Sequence, residues 1–170
     1  AGEPDFDSPA AAASYAERAI KEGKTHYTQS NGIPELREAV ASYYTGRFGL
    51  DYQADQVIIG AGAKPLIYGS LASLVNPDDE VLVFSPAWVS YVEQIRLLDG
   101  RASVVDTLTT GNVPLASKVE EAITPRTVGI LINTPNNPTG AVYDDETLRG
   151  IAEIALDHDL WIINDEIYER

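Results

Sequence analysis

The sequence predicts a three-layer α/β/α fold, in which a mostly parallel sheet lies between two layers of helices. Short segments rich in β-branched residues are apolar at nearly every position, which is typical of strands buried on both faces. Segments with helical hydrophobic periodicity separate these runs, and turn-forming residues mark the boundaries. Regular alternation of strand and helix favours right-handed crossovers and therefore parallel strands.

Each predicted strand is a short apolar run that ends at turn-forming or polar residues. These runs are Gln56–Ile59, Glu80–Phe84, Ala102–Val105, Val128–Asn133 and Leu160–Asn164. Gly60-Ala61-Gly62 follows the first run, and Ser85-Pro86 stops the second. Glycine and proline interrupt strands because glycine adopts unusual backbone angles and proline lacks a backbone N–H.

The predicted helices share apolar residues at three- and four-residue spacing. They run from about Ala10 to Glu22, from Pro34 toward Tyr44, from about Lys64 to Val75, from about Trp88 to Leu98, from Leu115 to Ile123, and from Asp144-Asp145-Glu146 to about His158. Gly23 is a helix-stop signal, and Pro34 is favourable in a first helical turn. Asp144-Asp145-Glu146 places carboxylates at the positive end of a helix dipole.

Composition narrows the classes of function. The chain has 170 residues, 44% of them apolar, which predicts about one folded domain. Its 26 acidic and 12 basic side chains give a net charge of -14, which disfavours a nucleic-acid-binding surface. Cysteine is absent, and neither His26 nor His158 has a partner at metal-ligand spacing, so no metal site is predicted. No apolar run approaches a membrane span and no secretory signal is visible, so we expect a cytoplasmic protein without membrane contact.

The chemistry-bearing residues follow the predicted strands. Ligands of open parallel sheets bind outside the carboxyl ends of the strands. Gly60–Lys64 opens a helix after the first strand, so backbone N–H groups and the helix dipole can bind a phosphate there. Trp88 follows the second strand, a proline-rich loop containing Asn137 follows the fourth, and Asp165 and Tyr168 follow the last. The sequence therefore predicts that a phosphate-binding helix start, an aromatic ring, an amide, a carboxylate and a phenol lie together at the carboxyl edge of the sheet.

Each of these features also has a structural interpretation. Gly60-Ala61-Gly62 fits a tight turn, and Pro65 occupies the position where a dinucleotide-binding fingerprint needs its third glycine. Trp88 fits a core residue, Asn137 fits the stabilisation of its own turn, and Asp165 fits a helix cap. No single feature decides between the two interpretations.

Together, the motifs resemble those of class I aminotransferases, enzymes of fold type I that use pyridoxal 5'-phosphate. The resemblance runs from Gly2 to Arg170. The motifs that carry it are Gly2-Glu3-Pro4-Asp5-Phe6, Tyr27-Thr28, Gly32-Ile33-Pro34-Glu35-Leu36-Arg37, Gly62-Ala63-Lys64, Ser85-Pro86-Ala87-Trp88-Val89-Ser90-Tyr91, Asn136-Asn137-Pro138-Thr139-Gly140 and Asp165-Glu166-Ile167-Tyr168. Their shared order makes a chance match improbable.

The resemblance implies specific cofactor contacts. Asp165 would pair with the pyridine nitrogen and keep the ring protonated, so that the ring withdraws electrons from the substrate. Asn137 and Tyr168 would donate hydrogen bonds to the phenolate oxygen, and these three side chains form the implied catalytic set. Trp88 would stack on the ring. Backbone N–H groups of Ala63 and Lys64 would hold the phosphate.

The resemblance also implies substrate and subunit contacts. Gly2 would let the main chain approach the substrate carboxylate, with Asn137 and Trp88 also in reach of the substrate. Tyr27 matches a tyrosine that reaches the phosphate site of the neighbouring subunit. The implied assembly is a homodimer with shared active sites.

One expected group is missing from the chain. In the family, the lysine that attaches the cofactor follows the Asp-Glu-x-Tyr motif, and the arginine that binds the substrate carboxylate lies further downstream. None of Lys21, Lys24, Lys64 and Lys118 occupies the matching position. We therefore expect an N-terminal fragment. Residues 1–22 would belong to a small domain or a domain junction, and residues 23–170 to a large cofactor-binding domain that continues beyond residue 170.

The leading hypothesis is amino-group transfer between an L-amino acid and a 2-oxo acid, with an aspartate or aromatic amino acid as the first substrate class. A carbon–sulfur (β-elimination) lyase or a cyclopropane-forming synthase on the same cofactor cradle is the nearest alternative. A regulatory domain that senses the cofactor or an amine is a third. The alternatives differ mainly in residues after Arg170, so the sequence leaves them open.

Overall fold

The computed structural model describes residues 5–169. These residues form two compact units, the first ending at Ile59 and the second beginning at Gly60. The expected boundary between residues 22 and 23 concerns the domains of the complete protein and stays a prediction.

The first unit contains helices α1 (Ala10–Lys21) and α2 (Pro34–Phe48), and a short 3-10 turn at Ala54–Gln56. Pro34 is the first residue of α2, as its fixed φ favours. The helix ends at Gly49, which adopts the left-handed conformation with φ 69° and donates its N–H to Thr45 O. α2 therefore extends beyond the predicted end near Tyr44.

The predicted strand Gln56–Ile59 is wrong in the described structure. Gln56 closes the 3-10 turn, and Val57 continues in an extended conformation without a sheet partner among residues 5–169. The Ile59 N–H instead donates a 3.0 Å hydrogen bond to Asn31 O in a loop. An apolar, β-branched run favours extended backbone, but a strand also needs a neighbour to bond with.

The second unit contains a four-stranded parallel sheet. Its strands are β1 (Glu80–Ser85), β2 (Arg101–Asp106), β3 (Thr127–Asn133) and β4 (Trp161–Asp165), in the spatial order β2-β1-β3-β4. The helices of this unit are α3 (Ala63–Leu74), which precedes β1, and α4 (Ser90–Arg96), α5 (Ala116–Glu121) and α6 (Asp145–Asp157), which connect the strands. The predicted parallel α/β architecture is confirmed.

Both faces of the sheet are covered by helices. On one face, Leu82 and Ile130 pack in a cluster with Val119 of α5 and Ile151 of α6. Alternate strand residues pack on the other face with residues from α3 and α4; this cluster is Val81, Val83, Leu131, Ile67, Leu71, Tyr91 and Ile95. Successive strand side chains point to opposite faces, which explains why the strands are apolar throughout.

A cluster of charged and polar side chains lies at the start of β1. Glu80 is 8% exposed, and its Oε1 accepts hydrogen bonds of 2.9 and 2.6 Å from Nε and Nη2 of Arg126. Thr124 Oγ1 donates to Oε2 at 2.6 Å. Hydrogen bonds from Thr124 and then Arg126 lower the pKa of Glu80.

None of the helices within residues 5–169 is long and apolar enough to cross a membrane.

Candidate active site

The carboxyl ends of β1, β3 and β4 lie at the same edge of the sheet because these strands are parallel. Asp165 is the last residue of β4, and it is 8% exposed. Its Oδ2 accepts a 2.7 Å hydrogen bond from the Tyr91 hydroxyl, and its Oδ1 accepts a 3.2 Å bond from the Ile167 N–H. The carboxylate is thus buried at the predicted ligand edge and held through both oxygens.

Asn133 organises the same edge from the end of β3. Its Nδ2 donates to Asp165 O at 2.9 Å and to Pro135 O at 3.2 Å, and its Oδ1 accepts a 2.7 Å bond from the Asn137 N–H. The side chain is buried. Sequence reasoning missed this role, although a polar residue that ends an apolar strand at a ligand edge was a usable signal.

Asn136 stabilises the loop that follows β3, and the sequence did not reveal this role either. Its Oδ1 accepts hydrogen bonds from the Thr139 hydroxyl at 2.8 Å and the Thr139 N–H at 3.3 Å. Its backbone bonds to Ala141 O and Gly140 N. Asn136 therefore supplies the side-chain hydrogen bonds that hold this turn. The neighbouring Asn137 amide is not needed for them and is available for another contact.

Asn137 and Tyr168 line one cleft of about 240 Å³, together with Pro135, Asn136, Pro138 and Gly140. Neither the Asn137 amide nor the Tyr168 hydroxyl makes a hydrogen bond with another described residue. Tyr168 is 47% exposed. The structure thus brings two of the predicted donors to the same cleft, with their side chains free to bind a ligand.

The helix predicted to begin at about Trp88 begins at Ser90, so Trp88 lies two residues before α4. Its indole is partly buried and meets the Tyr91 ring edge-on, with centroids 5.3 Å apart. The Lys64 ammonium lies 4.9 Å from the Trp88 ring centroid. Trp88 is therefore in direct contact with the residue that bonds to Asp165.

α3 begins at Ala63, directly after Gly62, whose φ is 97°. Among residues 5–169, no side chain caps the first N–H groups of this helix, although such groups need an acceptor. Ala63 and Lys64 are the first two helical residues, and Gln94 Nε2 donates to Lys64 O at 3.0 Å. The N–H groups predicted to hold a phosphate are thus at an uncapped, positive helix end.

The two remaining predicted residues lie in the first unit of the chain. Tyr27 is fully exposed. Gly2 lies outside the described residues. The predicted roles of both residues, like those of the other site residues, stay predictions.

Burial affects the pKa values of two tyrosines near this edge. Burial, and then the hydrogen bond to Asp165, raise the pKa of Tyr91 well above its usual range. Burial raises the pKa of Tyr143 to about 12. Both phenols therefore stay protonated near neutral pH, and the Tyr91 hydroxyl acts as a donor to the Asp165 carboxylate.

Comparison with known proteins shows the family of the chain. A family model described as aminotransferase class I and II matches residues 1–170. The chain belongs to this aminotransferase family. It is 46% identical over 171 residues to a probable aspartate/prephenate aminotransferase of Thermus aquaticus, covering 100% of the chain and 45% of the relative. An aspartate/prephenate aminotransferase of Thermus thermophilus is 45% identical, with 44% of its length covered.

Solved aminotransferase structures have the same fold. A double mutant of Thermus thermophilus aspartate aminotransferase superposes with a TM-score of 0.96 at 45% identity, covering 99% of this chain and 44% of that one. The Thermotoga maritima aspartate aminotransferase gives a TM-score of 0.96 at 42% identity, covering 99% and 45%. This aminotransferase chain therefore spans less than half the length of the relatives it matches.

The residues present fit pyridoxal phosphate. An uncapped helix end suits the phosphate, and the buried Asp165 carboxylate suits a protonated ring nitrogen. The Asn137 amide and the Tyr168 hydroxyl, which no other described residue engages, are donors suited to an anionic ring oxygen. None of the four lysines of the chain adjoins Asp165 in the sequence, and Lys64 lies at the start of α3.

Proposed function

We propose that the complete protein containing this chain transfers an amino group between an L-amino acid and a 2-oxo acid, using pyridoxal 5'-phosphate. The observation that carries the proposal is the buried, doubly hydrogen-bonded Asp165 carboxylate at the ligand edge of an aminotransferase fold. When bound, the cofactor withdraws electrons from the substrate's α-carbon. The names of the relatives favour amino transfer over elimination, ring closure or sensing.

The side chains at the carboxyl edge of the sheet would act on the cofactor ring. Asp165 would hold a proton on the ring nitrogen through a charge-assisted hydrogen bond. Asn137 and Tyr168 would donate to the ring's anionic oxygen, because both donors are free and face the same cleft. Trp88 would stack on the ring and exclude water from one of its faces.

The start of α3 would bind the phosphate. No described side chain accepts from the backbone N–H groups of Ala63 and Lys64, and the helix dipole adds positive potential there. The Lys64 ammonium, which lies against Trp88, would add a positive charge near the bound dianion. A lysine outside residues 1–170 would attach the cofactor and move the proton at the substrate carbon.

The substrate proposal follows the relatives. Proteins similar to this chain are named aspartate/prephenate aminotransferases, so we propose aspartate as amino donor and prephenate as an amino acceptor. Asn137, Trp88 and the main chain at Gly2 would contact the substrate's carboxylate side. An arginine downstream of residue 170 would complete this recognition.

The subunit proposal concerns Tyr27. It is fully exposed in the single chain, as expected of a side chain that binds outside its own subunit. We propose a homodimer in which the Tyr27 hydroxyl reaches the partner's phosphate site. A cytoplasmic location is likewise proposed, and cell fractionation with an antibody to the complete protein would test it.

The function is tested by assaying the complete purified protein for amino transfer from aspartate to prephenate and to 2-oxoglutarate. We expect turnover that depends on added pyridoxal phosphate and absorbance from bound cofactor. Alanine serves as a comparison donor that lacks the second carboxylate. Release of ammonia and pyruvate from a β-substituted amino acid, without amino transfer, would instead indicate a lyase, and binding without turnover would indicate a sensor.

A further inference from the structure

Tyr91 connects the two main cofactor-facing residues of the site. Its hydroxyl donates a 2.7 Å hydrogen bond to Asp165 Oδ2, across 74 positions of sequence. Its ring meets Trp88 edge-on, with an interplanar angle of 79°. The side chain is 2% exposed, so water does not substitute for either contact.

The Tyr91 hydroxyl donates a hydrogen bond to one of the two Asp165 carboxylate oxygens, and the Ile167 N–H donates to the other. A carboxylate with a donor at each oxygen has its plane fixed before any ligand binds. It also keeps a lone pair on each oxygen for one more partner. Burial raises the pKa of Tyr91 well above the usual range, so the phenol stays protonated.

We propose that Tyr91 is a positioning residue, whose hydroxyl orients the Asp165 carboxylate and thereby sets how firmly the cofactor's ring nitrogen holds its proton. The proposal rests on the proposed function. A donor to the carboxylate stabilises its negative charge, so the shared proton stays on the ring nitrogen. Without that donor, the carboxylate attracts the proton more strongly, and the ring nitrogen becomes more like neutral pyridine.

A packing role alone does not account for the hydroxyl. Phenylalanine would fill the same space between Trp88 and the sheet, and a buried hydroxyl is costly unless it is bonded. Tyr143 is a nearby phenol in the other core cluster that makes no bond to Asp165, so it serves as a comparison. It is 4% exposed, and its hydroxyl makes no hydrogen bond within residues 5–169.

The test uses the complete holoenzyme with Tyr91→Phe, and Tyr143→Phe as the control. The main readout is nitrogen NMR of bound pyridoxal phosphate that is isotope-labelled at the ring nitrogen. We expect the Tyr91→Phe signal to move toward that of neutral pyridine, and the Tyr143→Phe signal to stay at the wild-type position. We also expect kcat to fall about tenfold with KM nearly unchanged, since a bond to a charged group is lost.

Two further variants show whether Tyr91 acts through Asp165. In an Asp165→Asn background, adding Tyr91→Phe should leave the ring-nitrogen signal unchanged, because the group that transmits the effect is gone. Fluorotyrosine at position 91 keeps the packing and is a stronger donor. Fluorotyrosine should therefore move the ring-nitrogen signal in the direction opposite to Tyr91→Phe. If Tyr91→Phe does not fold, the fluorotyrosine protein tests the proposal in its place.

The outcomes separate the two proposals. A folded Tyr91→Phe or fluorotyrosine protein with the wild-type nitrogen signal would overturn the role of Tyr91. The same holds if Tyr91→Phe shifts the signal equally with and without the Asp165 carboxylate. If the wild-type protein binds no pyridoxal phosphate, the proposed function itself is wrong.

Discussion

The Oδ1 atom of Asn133 accepts a 2.7 Å hydrogen bond from the backbone N–H of Asn137. The amide of the same side chain donates to Asp165 O. One buried side chain therefore links the end of β3, the end of β4 and the loop that presents Asn137. The spacing between the Asp165 carboxylate and the Asn137 amide depends on this link.

Asn133→Ala should lower both stability and turnover. It leaves the Asn137 N–H, Asp165 O and Pro135 O without their partner, and we expect a loss of about 2–3 kcal/mol in unfolding free energy. Denaturant unfolding of the complete protein measures it. Asn164→Ala is the control, because the Asn164 side chain is exposed and, within residues 5–169, bonds only to the exposed Glu166. Equal effects of the two variants would contradict the linking role of Asn133.

Asp165→Asn should lower kcat by at least about a hundredfold and leave the fold intact. An amide does not hold the ring-nitrogen proton, but its oxygen still accepts from Tyr91. Steady-state kinetics and circular dichroism on the holoenzyme check both parts. Asp144→Asn is the control, since Asp144 caps α6 through the Thr147 N–H and asparagine caps equally well. Near-normal turnover of Asp165→Asn with bound cofactor would refute the assigned role.

Borohydride reduction of the complete holoenzyme should attach the cofactor to a lysine outside residues 1–170. Lys64 lies at the start of α3, the proposed phosphate site, with its ammonium against Trp88, so we expect it to supply charge and not the attachment point. Peptide mapping after reduction identifies the labelled lysine. Lys64→Gln should keep full labelling, whereas stoichiometric label on Lys64 would show that the ring lies in a different orientation.

Tyr27→Phe should weaken cofactor binding by roughly one to two powers of ten. A hydrogen bond from the phenol to a phosphate is charge-assisted and contributes about 1.5–3 kcal/mol. Titration of the apoprotein with pyridoxal phosphate measures the change. Tyr15→Phe is a suitable control, because Tyr15 is also exposed and in the first unit but belongs to none of the matched motifs.

Mixed dimers locate the site that Tyr27 serves. A Tyr27→Phe subunit is combined with an Asp165→Asn subunit, at a pyridoxal phosphate concentration that fills wild-type sites but leaves the Tyr27→Phe homodimer empty. If the Tyr27 hydroxyl acts across the interface, both defects fall in one site and the other site is intact, so activity returns. If Tyr27 serves its own subunit, each site keeps one defect and the mixture stays inactive.

Glu80→Gln should change the acid sensitivity of folding. The pKa of Glu80 is lowered in the folded state by the Thr124 and Arg126 hydrogen bonds, so the carboxylate stabilises the fold above its ordinary pKa of 4.5. This stabilisation is lost as the pH falls through the lowered value. The difference in melting temperature between wild type and Glu80→Gln should be largest near neutral pH and shrink below pH 4.5.

Glu121→Gln is the control for this pH series. Glu121 is exposed and pairs with Lys118 on the surface of α5, where an ion pair contributes little. Its melting temperature should follow the wild type throughout. A Glu80→Gln difference that does not change with pH would show that the cluster stabilises the sheet without its charge.

Much of the second unit could be predicted from the sequence, because hydrophobic patterns report local conformation and burial. The predicted strand Val128–Asn133 appears as Thr127–Asn133, and the helix predicted from Lys64 to Val75 appears as Ala63–Leu74. Gln56–Ile59 shows what a local hydrophobic pattern does not specify. Its residues favour extended backbone, but whether they join a sheet depends on a neighbour that the local pattern does not specify.

The candidate site was predictable only where residue type and position were informative together. Asp165, Asn137 and Tyr168 follow strands, and a rule about sheet edges together with a family resemblance selects them. Asn133, Asn136 and Tyr91 were missed as site residues. Their roles arise from hydrogen bonds between segments that are distant in sequence, or from turns whose geometry the sequence leaves open.

The sequence by itself determined the parallel α/β architecture, the family and the edge that carries the chemistry, because hydrophobic period and residue type are local properties. Only the tertiary structure decided which polar groups are paired and which are free. Tyr91 bonds to Asp165, whereas the Asn137 amide has no partner in the described part of the chain. The tertiary structure also explains Gly129, where a Cβ would overlap the Trp161 ring of the paired strand. Such contacts join residues far apart in the chain, so they exist only once the strands have taken their order in the sheet.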